Sequence, residues 1–121
     1  MFYVDSHPRE SPLSSDTILL VHGFPSSSYD YSALFDKLVE RCGCRVIAID
    51  HLGFGFSDKP KTGYDYSMKA QATSMLAFLK AKGLEEVQVV AHDMGDTVLT
   101  EALSILEEKV RRSDSRCTQL K

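Results

Sequence analysis

Three short apolar runs constrain this chain more than any other feature: Thr17-Ile18-Leu19-Leu20-Val21, Arg45-Val46-Ile47-Ala48-Ile49 and Val87-Gln88-Val89-Val90-Ala91. Nearly unbroken aliphatic runs of this length suit strands buried on both faces, as in a parallel sheet. The stretches between and after them carry a helical period. Tyr31, Leu34, Phe35, Leu38 and Val39 fall at i, i+3, i+4, i+7 and i+8. Met68, Ala72, Met75, Leu76 and Leu79 line a second apolar face, and Leu99, Ala102, Leu103, Leu106 and Val110 a third. Ser26 to Ser28 and Ser67 stand where N-caps belong, Gly43 and Gly83 where helices stop. Strand and helix alternate three times. That order predicts an α/β fold, a parallel sheet with right-handed crossover helices.

Around this unit, residues 1–15 read as an edge strand (Met1 to Val4) followed by a Ser- and Pro-rich loop. Residues 16–110 hold the strand–helix repeats, and residues 111–121 read as a polar, frayed tail. A net charge of −3 and the lack of a basic cluster argue against nucleic acid as a partner. No apolar run approaches the roughly 20 residues of a membrane span, and no signal-peptide layout opens the chain, so a cytoplasmic location is the default expectation. Cys42, Cys44 and Cys117 form no framework spacing and read as reduced thiols. Cys42-Gly43-Cys44 lacks the usual two-residue spacing and a second ligand pair, so no metal and no cofactor is expected.

The chemistry concentrates where the third run ends. Ala91-His92-Asp93-Met94-Gly95 has the small-x-nucleophile-x-small layout of a nucleophile elbow. Such a turn forces its apex residue into a strained backbone conformation, and small residues two positions either side relieve the crowding. The apex is Asp93, between a strand end and a helix start, where backbone N–H groups and the helix dipole favour an anion. A carboxylate is ionised at neutral pH and attacks an alkyl carbon without a general base, giving an alkyl-enzyme ester. On its own the pattern reads more readily as an Asp helix cap; the apolar strand before it and the other motifs turn the reading to an elbow. His22-Gly23-Phe24-Pro25 follows the first run, at the end of a parallel sheet where sites form. Gly23 permits close backbone approach, Pro25 is a candidate for a cis bond, and the N–H groups of Phe24 and Met94 are candidates for an oxyanion hole. Asp50 to Pro60 is a Gly-rich loop read as scaffold, with Asp50 bracing it. His51 and His92 read as satisfied structural histidines, His92 pointing away from the apex, and His7 carries no signal.

These three motifs, in this order, resemble the α/β-hydrolase superfamily, and the Asp apex places the resemblance near its epoxide hydrolase and haloalkane dehalogenase branch. The resemblance extends over about Ile18 to Leu106. It implies Asp93 as nucleophile, Phe24 and Met94 as oxyanion-hole donors, and His22, Gly23, Pro25, His92 and Gly95 as supporting residues. Dehalogenases usually carry Trp after the nucleophile and Asn or Glu between the first Gly and the Pro. Met94 and Phe24 stand there, which weakens the dehalogenase reading and favours epoxide opening or another ester-forming reaction on a small-molecule substrate. The catalytic acid, the water-activating histidine and the cap domain are expected beyond residue 121, so the chain alone is expected to be inactive. A truncated, non-catalytic binding module is the alternative. With the later strands absent, Val87 to Ala91 is expected to be an exposed, weakly protected edge through which the chain self-associates.

Overall fold

In the structure, a computed structural model that describes residues 1–7 and 17–118, the chain forms one four-stranded sheet. The strands are β1 (Tyr3–Asp5), β2 (Thr17–Val21), β3 (Arg45–Ile49) and β4 (Gln88–Ala91). The helices are α1 (Ser32–Cys42), α2 (Met68–Ala81) and α3 (Met94–Thr118). Strand order is β1-β3-β2-β4. β2 runs parallel to both neighbours, with Ile18 opposite Val46 on one side and Gln88 on the other. β1 is antiparallel to β3, Tyr3 opposite Ile49, so the sheet is mixed at that edge.

The continuous apolar runs of β2 and β3 are explained by two cores, one on each face. Leu19, Val21, Ile47 and Ile49 pack with Ala72, Met75 and Phe78 of α2 and Val98 and Ala102 of α3. The alternate residues, Leu20, Val46 and Ala48, pack with Tyr31 and Cys44, and with Phe35, Leu38 and Val39 of α1. Period-two alternation therefore splits each run between two helical layers. Each fully buried Leu or Ile contributes about 1.5–3 kcal/mol.

Local signals place the helix ends. Ser27 caps a short 3₁₀ turn, Ser28–Tyr31, by accepting from the Tyr29 N–H, and α1 follows without a side-chain cap of its own. Tyr31 thus lies in that turn rather than in α1. It is buried, and its hydroxyl donates to the Val21 carbonyl at 2.9 Å. Gly43 ends α1 at φ +61°, and the Ser67 Oγ caps α2 by accepting from the Ala70 N–H at 3.1 Å. Two expectations for α3 are corrected. Its buried apolar side chains among the described residues are Val98 and Ala102, whereas Leu103, Leu106 and Val110 are exposed. Helix α2 meets α3 along the stripe that includes positions 98, 102 and 105, and that contact sets the buried face. The helix also runs on through residues 111–118, where a frayed tail was expected. Glu107–Arg111 and Glu108–Arg112 ion pairs at i, i+4 support its polar end. Residues 8–16, most of the expected loop, and 119–121 lie outside the described residues.

One part-buried ion pair was not anticipated. Arg45 grips Asp5 with both Nε (3.0 Å) and a terminal nitrogen (2.6 Å), tying β1 to β3. Burial alone would raise the Asp5 carboxyl. The Arg45 hydrogen bonds and charge, with the His7 N–H, hold it below the ordinary carboxylate range.

Candidate active site

The carboxyl ends of β2 and β4 are neighbours, so residues far apart in sequence meet there. Asp93 sits two residues past the end of β4 at φ +53°, a backbone region that disfavours a side chain. The turn is held by the Gly95 N–H on the His92 carbonyl (2.9 Å) and the Asp96 N–H on the Asp93 carbonyl (3.0 Å). The His92 N–H continues the sheet by donating to Val21 at 3.2 Å. Gly95 is required by contact: a Cβ there would lie 2.5 Å from the Val21 carbonyl oxygen and 2.8 Å from that of His22. Gly23 is required in the same way, because its Cβ would fall 2.7 Å from the Asp93 Cβ.

Phe24 donates its backbone N–H to the Asp93 Oδ1 at 2.9 Å. The Met94 N–H, at the first position of α3, adjoins the carboxylate and adds to its electrostatic stabilisation. The Phe24 N–H first, and the neighbouring Met94 N–H after it, hold the Asp93 carboxyl below the ordinary carboxylate range although it is solvent-exposed. Asp93 is therefore an exposed, ionised carboxylate with one oxygen fixed by a backbone donor. The Phe24–Pro25 bond is cis. The Phe24 side chain is 67% exposed and meets Phe54 edge-on at 6.0 Å.

Behind this surface lies a buried polar layer. Asp50 is completely buried and cross-ties two loops, accepting from the Ser28 N–H at 2.7 Å and the Phe56 N–H at 2.8 Å. A Cβ on Gly55 would overlap the Asp50 carboxylate, which explains that glycine and confirms the bracing role. The Ser57 hydroxyl donates to the Asp50 carbonyl (2.6 Å) and accepts the Phe2 N–H (2.7 Å), fastening β1 to the same loop. His22 and His51 are both fully buried, with ring centroids 4.7 Å apart. His51 departs from the expected satisfied histidine: neither ring nitrogen has a hydrogen-bond partner among the described residues. Burial, and then the neighbouring His22, push its pKa down to about 4, so it is neutral at pH 7. His92 is exposed and lines a hollow of about 360 Å³ with Asp30, Tyr31, Val90 and Ala91.

The structure thus brings together Gly23, Phe24, Asp93, Met94 and Gly95, with His22 and Pro25 on the same loop. No histidine nitrogen is hydrogen-bonded to Asp93 among the described residues. No group of three or more His, Cys, Asp or Glu side chains among them is placed to hold a metal ion, and no helix among them is long and apolar enough to cross a membrane. The Ser57 tie and the His22–His51 contact escaped sequence reading. Gly55, five residues after Asp50, was the available signal for the Asp50 brace.

Comparison with known proteins agrees with this geometry. The alpha/beta hydrolase fold family matches residues 16–118. The human mesoderm-specific transcript homolog protein is 45% identical over 92 residues, covering 74% of this chain and 27% of the relative. A haloalkane dehalogenase from Mycolicibacterium paratuberculosis is 34% identical over 98 residues, covering 81% of this chain and 31% of its own length. Among solved structures, the epoxide hydrolase CorEH superposes with a TM-score of 0.63 at 33% identity, covering 80% of this chain and 31% of that one. The chain thus spans about a third or less of the length of these proteins. With an elbow after β4, a His-Gly-Phe-Pro turn after β2 and a family match over most of its length, the chain belongs to the α/β-hydrolase fold family.

Proposed function

We propose that Asp93 is the nucleophile of an epoxide-hydrolase-type reaction on a small apolar substrate. The observation that carries this reading is the Phe24 N–H on Asp93 Oδ1. One oxygen occupies the donor site, which leaves Oδ2 to attack. In the first step an Oδ2 lone pair forms a C–O bond to an epoxide carbon. The ring C–O bond breaks, and its electron pair stays on the epoxide oxygen, which takes a proton from solvent or an acid. In the second step a water that gives up a proton to a base adds to the Asp93 Cγ, and negative charge develops on Oδ1. Collapse of this intermediate breaks the Cγ–Oδ2 bond, the departing alkoxide takes a proton to leave as the diol, and the Asp93 carboxylate is restored. The Phe24 N–H already stands at Oδ1, where that charge appears, and the Met94 N–H is the candidate second donor. The exposed Phe24 ring beside Asp93 offers an apolar surface to the substrate's carbon skeleton. Met94 in the position after the nucleophile supplies no N–H side chain to hold a halide, which favours epoxide over haloalkane.

The second step needs a base to activate water, a contribution of about 10² to 10⁴ in rate. None of the described histidines is in hydrogen-bond contact with Asp93, so the 121-residue chain forms the ester and does not turn over. The test is intact-mass analysis after incubation with excess aryl epoxide. One hydroxylamine-labile adduct, mapped to the peptide holding Asp93 and lost in Asp93→Asn, is the expected result. Hydroxylamine separates an ester from a thioether on the exposed Cys42. Labelling confined to cysteine, or unchanged in Asp93→Asn, refutes the reading.

A non-catalytic binding role is the second reading. β4 is one of the two outer strands of the sheet, Val90 on it is 43% exposed, and Leu103 and Leu106 of α3 are exposed as well. Concentration-dependent self-association weakened by Val90→Lys, with no epoxide labelling, is the outcome that would favour it.

A further inference from the structure

We propose that His22 is a positioning residue that aims the Phe24 N–H at Asp93 by clamping the opposite end of the same peptide plane. The Gly23 carbonyl and the Phe24 N–H belong to one planar unit. That bond is trans, since the cis bond among the described residues is Phe24–Pro25. In a trans peptide the C=O and N–H point in opposite directions, so fixing one fixes the other. On the N–H side stands the Asp93 Oδ1, at 2.9 Å. On the C=O side, the Gly23 oxygen accepts from His22 Nδ1 at 2.8 Å and from the Ser26 N–H at 3.2 Å.

The clamp is itself held. His22 Nε2 lies 3.0 Å from the His51 backbone N–H. A backbone N–H only donates, so Nε2 is the acceptor and carries no proton. A carbonyl oxygen only accepts, so Nδ1 carries one. The two bonds together require the neutral Nδ1–H tautomer. The ring is completely buried and packed against His51 at 4.7 Å and edge-on to Phe54 at 5.6 Å, so it cannot swing away. The strut thus runs from the end of β3, through an imidazole at the end of β2, to the elbow after β4. No water need enter the chain of contacts. Gly23 completes the device, because any Cβ there would collide with Asp93 and rotate the plane.

This assignment rests on the reading of Asp93 as the reactive group, and its test does not depend on reaction. Asparagine places an amide donor where Nδ1 stands, whereas glutamine reaches the position of Nε2. His22→Asn therefore keeps the Gly23 clamp, and His22→Gln keeps only the His51 contact. Carbon-13 titration of the Asp93 carboxyl is the main readout. We expect His22→Gln to raise its pKa and to speed exchange of the Phe24 amide by roughly tenfold or more, while His22→Asn leaves both near wild type. Equal effects of the two variants, or an unmoved Asp93 in a folded His22→Gln, would overturn the proposal. Nitrogen-15 shifts of the wild-type His22 ring need no variant: the Nδ1–H tautomer at pH 7 supports the clamp, and the Nε2–H tautomer or an imidazolium overturns it. If the wild type takes up no epoxide while the Asp93 titration orders the variants as stated, the nucleophile reading fails and the strut stands.

Discussion

Replacing His51 by methionine tests how a buried imidazole without partners sets the acid limit of the fold. Burial and the adjacent His22 depress the His51 pKa from its ordinary 6.5 to about 4. The folded chain therefore keeps His51 neutral across a range in which the unfolded chain protonates it. The unfolded state binds more protons there, so stability falls as pH is lowered from 6.5 and stops falling near the folded value of about 4. Integrated between pH 7 and pH 5, the loss is about 2 kcal/mol. Methionine fills a similar volume, titrates nowhere in that range and leaves no orphaned ring nitrogens. Urea unfolding at the two pH values, in wild type and His51→Met, measures the difference. Wild type should lose about 2 kcal/mol more than the variant. At pH 7 the variant should be no less stable than wild type, because the two nitrogens it removes have no partners among the described residues. Equal losses in the two proteins would refute the reasoning and place a proton or a water on the ring.

Three further outcomes are expected. Gly95→Ala should cost about 1–3 kcal/mol in urea unfolding, because the new Cβ meets two backbone carbonyls that cannot yield. Asp50→Asn should cost about 1–3 kcal/mol, since an amide has one acceptor oxygen for two buried N–H donors; amide exchange at Ser28 or Phe56 should rise selectively, and unchanged exchange at both would contradict the cross-tie. The Asp5–Arg45 pair should act in a lower window than His51. Its carboxyl is depressed below 3.8, so its contribution is complete above the unfolded carboxylate value and disappears as pH falls through the folded one. Acid titration should therefore show Asp5→Asn diverging from wild type at pH 7 and converging with it only below about pH 4.

The sheet strands were legible because burial on both faces leaves unbroken apolar runs, and β2 and β3 match those runs residue for residue. The elbow was legible because crowding at one backbone point demands small residues at fixed spacing, which Gly95 meets against Val21 and His22. What escaped has no local signature. The Asp5–Arg45 grip joins residues 40 positions apart, and nothing near either one announces the other. The insertion of β3 between β1 and β2 is a property of the assembled sheet. On α3 the apolar residues surround much of the helix, so sequence alone does not set the phase of the buried face; packing on α2 chose Val98 and Ala102 over Leu103 and Leu106. His51 looked like an ordinary core histidine because a sequence does not display the want of a partner.

The parallel pairing of β2 with β4 also governs when Asp93 acquires its surroundings. Ile18 pairs with Val46, 28 positions on, and with Gln88, 70 positions on. Closing the longer span costs about 0.8 kcal/mol more in chain entropy than closing the shorter one. The Phe24–Asp93 hydrogen bond spans 69 positions and exists only when that longer closure is complete. The ionisation of Asp93 is therefore a built-in gauge of the longest-range docking event in the sheet. Any chain fluctuation that lifts β4 from β2 is written in the titration of that single carboxyl, even while β1, β3 and β2 stay paired.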